Sequence, residues 1–221
     1  PTFEEMFQSV KKGLADVAMV PIENSQAGRV ADTQRLIPES DLKIIAEYFL
    51  EVKHNLLVIP GAKLSDIKRI HSHEQGLAQC RKKIIDLNKE MIISADTAGS
   101  AKHIANLNSK EDASIASELA AKIYNLEILE PNFQDAENNV TRFLVMSKKL
   151  DLSQTNFDET ITTLIFTVRS IPASLYKCLG GFASNGVNIT KLESYVHPQG
   201  FDVAQFYIDF EGHPENTSVK L

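Results

Sequence analysis

Short apolar runs with strand character alternate with stretches of helical period along most of this chain. That alternation restricts its fold more than any other feature. Thr2 precedes Glu5 by three positions, a capping box that opens a helix, and Gly13 is placed to end it. Asp16 to Val20 reads as a short strand stopped by Pro21, and a helix over 30–37 follows, ending before Pro38. Residues 44–50, 55–59 and 68–71 read as strands, then a long helix over 74–87, a strand over 91–93 and a helix over 99–107. Residues 113–116 form a short apolar stretch, 118–124 a helix and 141–146 a strand. Such a sequence of elements predicts α/β architecture with largely parallel sheets.

The pattern changes after residue 147. Residues 148–160 are polar and weakly periodic, which predicts a linker. Beyond it come a strand over 162–169, a helix over 172–184 with Pro172 in its first turn, and a strand over 187–196. A turn over 197–200 and a strand over 202–211 follow, and His213-Pro214 is expected to open a second helix. That is βαββα, a ferredoxin-like (α+β) unit without its last strand.

Composition narrows the function classes. Of 221 residues, 43% are apolar and 24% charged, enough for a sizeable core in a globular protein. The net charge is −6 and Lys and Arg are not clustered, which argues against a nucleic-acid partner. The longest apolar runs, 56–59 and 164–168, are too short to span a bilayer, so no membrane partner is expected. Cys80 and Cys178 stand far apart, suiting neither a disulfide framework nor a metal site, and a cytoplasmic protein with reduced thiols is the simplest reading. The chain opens at Pro1 with no signal-peptide pattern and ends in a polar segment, and both ends read as cut from a longer protein.

Several strands end in small polar residues. Asn24-Ser25 follows the first strand, Ser72 follows 68–71 with Gln75 three residues later, and Thr97 follows 91–94. Ser114 and Ser117 bracket a further apolar stretch. Ligands of α/β sheets sit outside the carboxyl ends of strands, where helix N-termini favour anions. Helix capping accounts for each of these residues taken alone. His71 and His73 share a strand face, but no third ligand accompanies them, so no metal is assigned. Cys80 reads as a packed core thiol.

Three segments carry a family likeness. Asp16-Val17-Ala18-Met19-Val20-Pro21-Ile22-Glu23-Asn24-Ser25 with Gly28, then Ser72-His73-Glu74-Gln75 with Gln79-Cys80, then Asn139-Val140-Thr141-Arg142-Phe143 stand in the order of the prephenate dehydratase signatures. The chain resembles that family, and residues 161–221 resemble an ACT domain, an amino-acid-sensing module. The resemblance implies a two-lobed, periplasmic-binding-protein-like catalytic domain over 1–147, a linker over 148–160 and an ACT regulatory domain over 161–221. The family's initial Gly-containing segment is absent from the chain.

The implied reaction is loss of carbon dioxide and the ring hydroxyl from prephenate, giving phenylpyruvate for phenylalanine synthesis. It needs no cofactor and no metal. By resemblance, Thr141 is the proton donor to the leaving hydroxyl, and Asn24, Ser72 and Gln79 complete the catalytic set. Glu23, Ser25, Thr97, Arg142 and Phe143 form the substrate-binding set. Arg142 is placed to clamp a carboxylate, and Glu23 orients its neighbours, since an anion there repels the substrate. L-phenylalanine is the implied effector, held by Ala173, Ser174, Leu175, Asn188, Glu193 and Ser194, in a homodimer or homotetramer. Ala173 stands where the family's phenylalanine-inhibited members carry Gly, and Tyr195-Val196 where they carry Arg-Pro. Two alternatives stay open: an arogenate dehydratase, and a non-catalytic small-molecule-binding protein of the same two-lobed fold.

Overall fold

The computed structural model describes residues 2–151, 159–197 and 200–219. Most of the predicted linker, and the middle of the predicted turn at 197–200, lie outside these residues. The chain divides into two compact units. One comprises Pro1–Ala18, Arg35–Ile45 and Met146–Leu221, the other Met19–Gln34 and Ala46–Val145.

Helix α1 (Phe3–Lys11) starts at the predicted capping box. Thr2 accepts from Glu5 N, and Glu5 accepts from Thr2 N at 2.8 Å. Strand β1 (Val17–Asn24) runs straight through Pro21, where the sequence predicts a stop. Proline removes one donor, worth about 1 kcal/mol. Its neighbours Val20 and Ile22 are fully buried, each contributing roughly 1.5–3 kcal/mol, so the strand persists. Strand β2 (Gly28–Arg29) pairs antiparallel with its end. Helix α2 (Ala31–Glu39) carries Pro38 in its last turn. Strands β3 (Lys43–Glu51) and β9 (Val140–Ser147) complete a four-stranded sheet of order β2-β1-β9-β3.

A second sheet, of order β6-β5-β7-β4-β8, comprises β4 (Asn55–Val58), β5 (Arg69–Ser72), β6 (Glu90–Ile93), β7 (Asp112–Ala116) and β8 (Glu127–Glu130). Strand β5 runs parallel to β6 and β7, whereas β4 pairs antiparallel with β7 and β8. Every residue of β4 and β7 is buried, as strands covered on both faces must be. Helices α3 (Glu74–Gln79), α4 (Arg81–Asp86), α5 (Thr97–Leu107) and α6 (Glu118–Tyr124) connect the strands. The predicted helix over 74–87 is thus two helices, broken at Cys80, whose φ of −118° leaves the helical region. Asp135 imposes the break: its carboxylate accepts from Lys82 N and Lys83 N, and its own N–H donates to the Gln79 carbonyl.

Strand β10 (Ile161–Arg169), helix α7 (Ser174–Ser184), strand β11 (Ile189–His197) and strand β12 (Gly200–Glu211) form the last element group. Its antiparallel sheet has the order β10-β12-β11, so the two strands joined by α7 flank β12, a split βαβ arrangement. The expected second helix at His213-Pro214 is a run of turns in which His213 Nδ1 accepts from Glu215 N. Pro172 lies outside α7, and Ala173 caps the helix at φ +65°. Among the described residues no helix is long and apolar enough to cross a membrane.

Candidate active site

Asn24, at the end of β1, organises the candidate site. Its Oδ1 accepts from the backbone N–H groups of Gln26 (3.0 Å) and Ala27 (2.8 Å), an Asx turn that the small residues after the strand permit. A backbone N–H can only donate, so the orientation of this amide is fixed. Its Nδ2 therefore donates, to Asn139 Oδ1 at 2.7 Å and to Thr141 Oγ1 at 3.0 Å. Asn139 Nδ2 in turn donates to Gln79 Oε1 at 2.9 Å, and His54 Nε2 lies 2.7 Å from the same oxygen. Five side chains thus form one connected network: Asn24 of β1 and Thr141 of β9 from one sheet, Gln79 of α3, Asn139 just before β9 and His54 just before β4. Asn139 is only 2% exposed and His54 6%. Burial pushes the His54 pKa down, opposed by its hydrogen bond to Gln79.

The loop after Asn24 is tied twice more, once to β9 and once to the segment that leads into it. Ser25 Oγ donates to Asn138 O and accepts from Val140 N. Asn138 sits at φ +64°, a conformation that asparagine tolerates better than most residues.

Arg142 follows Thr141 and so points to the other face of β9, as strand alternation predicts. There its Nη1 meets Glu23 at 3.1 Å and its Nε meets Glu47 at 2.8 Å, with 11% of the side chain exposed. The guanidinium that the sequence assigns to a substrate carboxylate is already engaged with two protein carboxylates. Phe143, half-buried, returns to the Thr141 face of the strand.

Ser72 ends β5, at the carboxyl edge of the parallel strands, but it does not cap the following helix, as its spacing of three from Gln75 would suggest. His73 caps α3 instead, its Nδ1 accepting from Gln75 N. The fully buried Ser72 hydroxyl donates to Ile115 O at 2.8 Å. Thr97 is the first residue of α5, whose cap is Asp96. A Cβ added at Gly76 would lie 2.7 Å from Ser72 Oγ and 3.5 Å from Thr97 Cγ2, so only glycine fits between them.

Elsewhere in this unit, His71 and Arg69 both bind the buried Asp112 carboxylate. The bidentate Arg69 holds Asp112 far below the usual carboxylate range. Burial, with Asp135 adding to it, pushes the Cys80 thiol up to about 12, which removes it as a nucleophile near neutrality.

The predicted effector residues fall on α7 and β11. Ala173, Ser174 and Leu175 form the start of α7, and Asn188 precedes β11, its carbonyl accepting from Glu211 N. Glu193 and Ser194 lie in β11, Glu193 with Lys191 Nζ at 3.1 Å. Tyr195 faces Tyr207, ring centroids 6.5 Å apart.

Sequence reasoning missed His54 altogether and gave Asn139 no role. The signal for Asn139 lay inside the third motif. A lone histidine between two strands carries none.

Known proteins resemble this chain over most of its length. The prephenate dehydratase family model matches residues 1–151. A bifunctional N-acyl-homoserine lactone acylase/prephenate dehydratase of Komagataeibacter europaeus is 44% identical over 214 residues, covering 97% of this chain and 76% of that protein. Arogenate dehydratase/prephenate dehydratase 2, chloroplastic, of Arabidopsis thaliana is 38% identical over 221 residues, covering 95% of the chain. The chain spans 57% of that plant protein's length. The crystal structure of a prephenate dehydratase from Arthrobacter aurescens in complex with L-Phe superimposes with a TM-score of 0.88 at 32% identity. That match covers 99% of this chain and 73% of the other.

Proposed function

The chain belongs to the prephenate dehydratase family, and we propose from that premise that it converts prephenate to phenylpyruvate at the Asn24–Thr141 site. The observation that carries the reading is the polarity of one hydrogen bond. Because Asn24 Nδ2 must donate to Thr141 Oγ1, the threonine proton is left to donate elsewhere. Accepting a hydrogen bond also makes the hydroxyl a better donor. Breaking the bond from the ring to its carboxylate releases carbon dioxide and sends an electron pair through the ring. The opposite carbon–oxygen bond then breaks, and the departing oxygen accepts from Thr141 and leaves as water after taking one proton. A positioned acid of this kind contributes about 10²–10⁴-fold.

Gln79 supplies a second donor. Its oxygen is taken by Asn139 and His54, while nothing among the described residues accepts from its Nε2. Ser72 has given its proton to Ile115 and Arg142 is paired with Glu23 and Glu47, so both support the site in this reading. Ser25 likewise braces the loop, and Thr97 and Phe143 border the substrate.

Arogenate carries the same ring, hydroxyl and ring carboxylate, so the same donors serve it, and the plant relative is named for both reactions. The test is an assay of the purified protein with prephenate and arogenate in parallel, following phenylpyruvate and phenylalanine. An N-acyl-homoserine lactone joins the panel because the Komagataeibacter relative is named for that activity too. Turnover of neither dehydratase substrate overturns the reading.

The same proposal divides the chain into a catalytic part over 1–147, a linker over 148–160 and an ACT part over 161–221, in a cytoplasmic homodimer or larger assembly. L-phenylalanine is its effector, supported by the Arthrobacter relative's complex with that amino acid.

A further inference from the structure

We infer that His54 is a positioning residue for this site, its Nε2–H holding Gln79 and, through Asn139 and Asn24, Thr141 in their donor orientations. The inference rests on the dehydratase reading above. Three amides stand in series between Thr141 and His54, and each could in principle turn over, exchanging donor for acceptor. At one end rotation is blocked, because Asn24 Oδ1 holds the N–H groups of Gln26 and Ala27. Asn24 thus offers N–H to Asn139, which must answer with oxygen and turn its own N–H toward Gln79. Gln79 must meet that N–H with oxygen, and the same oxygen faces His54 at 2.7 Å. Only a donor fits there, so the ring nitrogen that reaches Gln79 carries the proton.

The opposite tautomer breaks the series. With the proton on Nδ1, Nε2 becomes an acceptor and Gln79 must turn its NH₂ toward it. Asn139 would then point N–H at N–H, and if it turned too, the clash would pass to Asn24, which cannot turn. The tautomer matters in the neutral ring, the form that burial favours: His54 is 6% exposed and burial lowers its pKa. The position of the residue is fixed at both ends of its peptide unit. Its backbone N–H donates to Gln134 Oε1 at 3.0 Å, and its carbonyl accepts from the N–H of the fully buried Phe133 at 2.6 Å.

The consequence falls on the ligand side. With its oxygen held by His54 and Asn139, Gln79 presents an NH₂ group, and a substrate with two carboxylates and a hydroxyl needs donors. A turned Gln79 presents its carbonyl oxygen instead, which repels an anion.

Two measurements test this. In the unsubstituted protein, long-range ¹H–¹⁵N correlation of the imidazole ring should show His54 as the Nε2–H tautomer, and the Nδ1–H tautomer would overturn the inference whatever the enzyme turns over. In steady-state kinetics, His54→Leu should lower kcat at least about tenfold, and His54→Gln, whose amide places an N–H where ring Nε2 lies, should return to within about threefold of the parent. If His54→Leu keeps its kcat, or if His54→Gln is no better than His54→Leu at equal thermal stability, His54 is not positioning the site. If His54→Leu fails to fold, the tautomer measurement decides alone. A parent protein inactive on both dehydratase substrates sinks the functional reading instead, and the ring spectrum still judges the polarity of the network.

Discussion

The five-stranded sheet and the terminal sheet are made from similarly apolar sequence, yet they are finished to different degrees. Strands β4 and β7 are buried along their whole length, packed beneath helices. Helix α7, with Leu175, Tyr176, Leu179 and Phe182, has no buried residue, and Tyr176 is 78% exposed. Apolar content sets what a segment can bury, while the number of covering layers sets what it does bury. The same contrast holds for polar groups. Around Asn24 each amide has one orientation, fixed by its neighbours, whereas Ala173 caps α7 in a left-handed conformation with no side-chain hydrogen bond.

The largest expected effect lies in the buried region. Asp112→Ala leaves Arg69 and His71 without their shared carboxylate and should cost about 3 kcal/mol, read from urea unfolding. A loss below about 1 kcal/mol would show that the buried sheet tolerates polar damage as the terminal one should. Next comes Thr141→Val, which keeps shape and removes the hydroxyl. It should lower kcat about a hundredfold with little change in melting temperature, and near-normal turnover would dismiss Thr141 as the proton donor. The smallest effect is a gain. Ala173→Gly relieves a left-handed alanine and should stabilise the fold by about 1 kcal/mol, seen as a rise in thermal midpoint. Titration of the same variant with L-phenylalanine asks whether that strain also weakens effector binding. No gain in either would mean that the region adapts to alanine without strain.

The sequence disclosed whatever is encoded over a few neighbouring residues. The capping box at Thr2, the edges of α6 and the runs that became β4, β5 and β7 all depend on local pattern, and they were readable. Strand β8 escaped notice because Glu127-Ile128-Leu129-Glu130, although flanked by Asn125 and Pro131-Asn132, is too short to show a period and carries charge at both ends. Pro21 misled because the burial of its neighbours outweighs one lost donor. At the candidate site Asn24, Gln79 and Thr141 could be named from their motifs. Their joining through Asn139 to His54 depends on contacts across 25 to 117 positions, which no local pattern records. Nor did the sequence show Arg142 engaged with Glu47, 95 positions away.

The break at Cys80 has a bearing on how the chain comes to be folded. Helices α3 and α4 have six residues each, far below the length at which an isolated helix is stable in water. What separates and caps them is Asp135, more than fifty positions downstream. Bringing that carboxylate to them closes a loop of more than fifty residues, an entropic cost that neither short helix offsets by itself. The two helices therefore cannot seed the structure. They take their order from tertiary contacts, and contacts so distant in sequence slow folding.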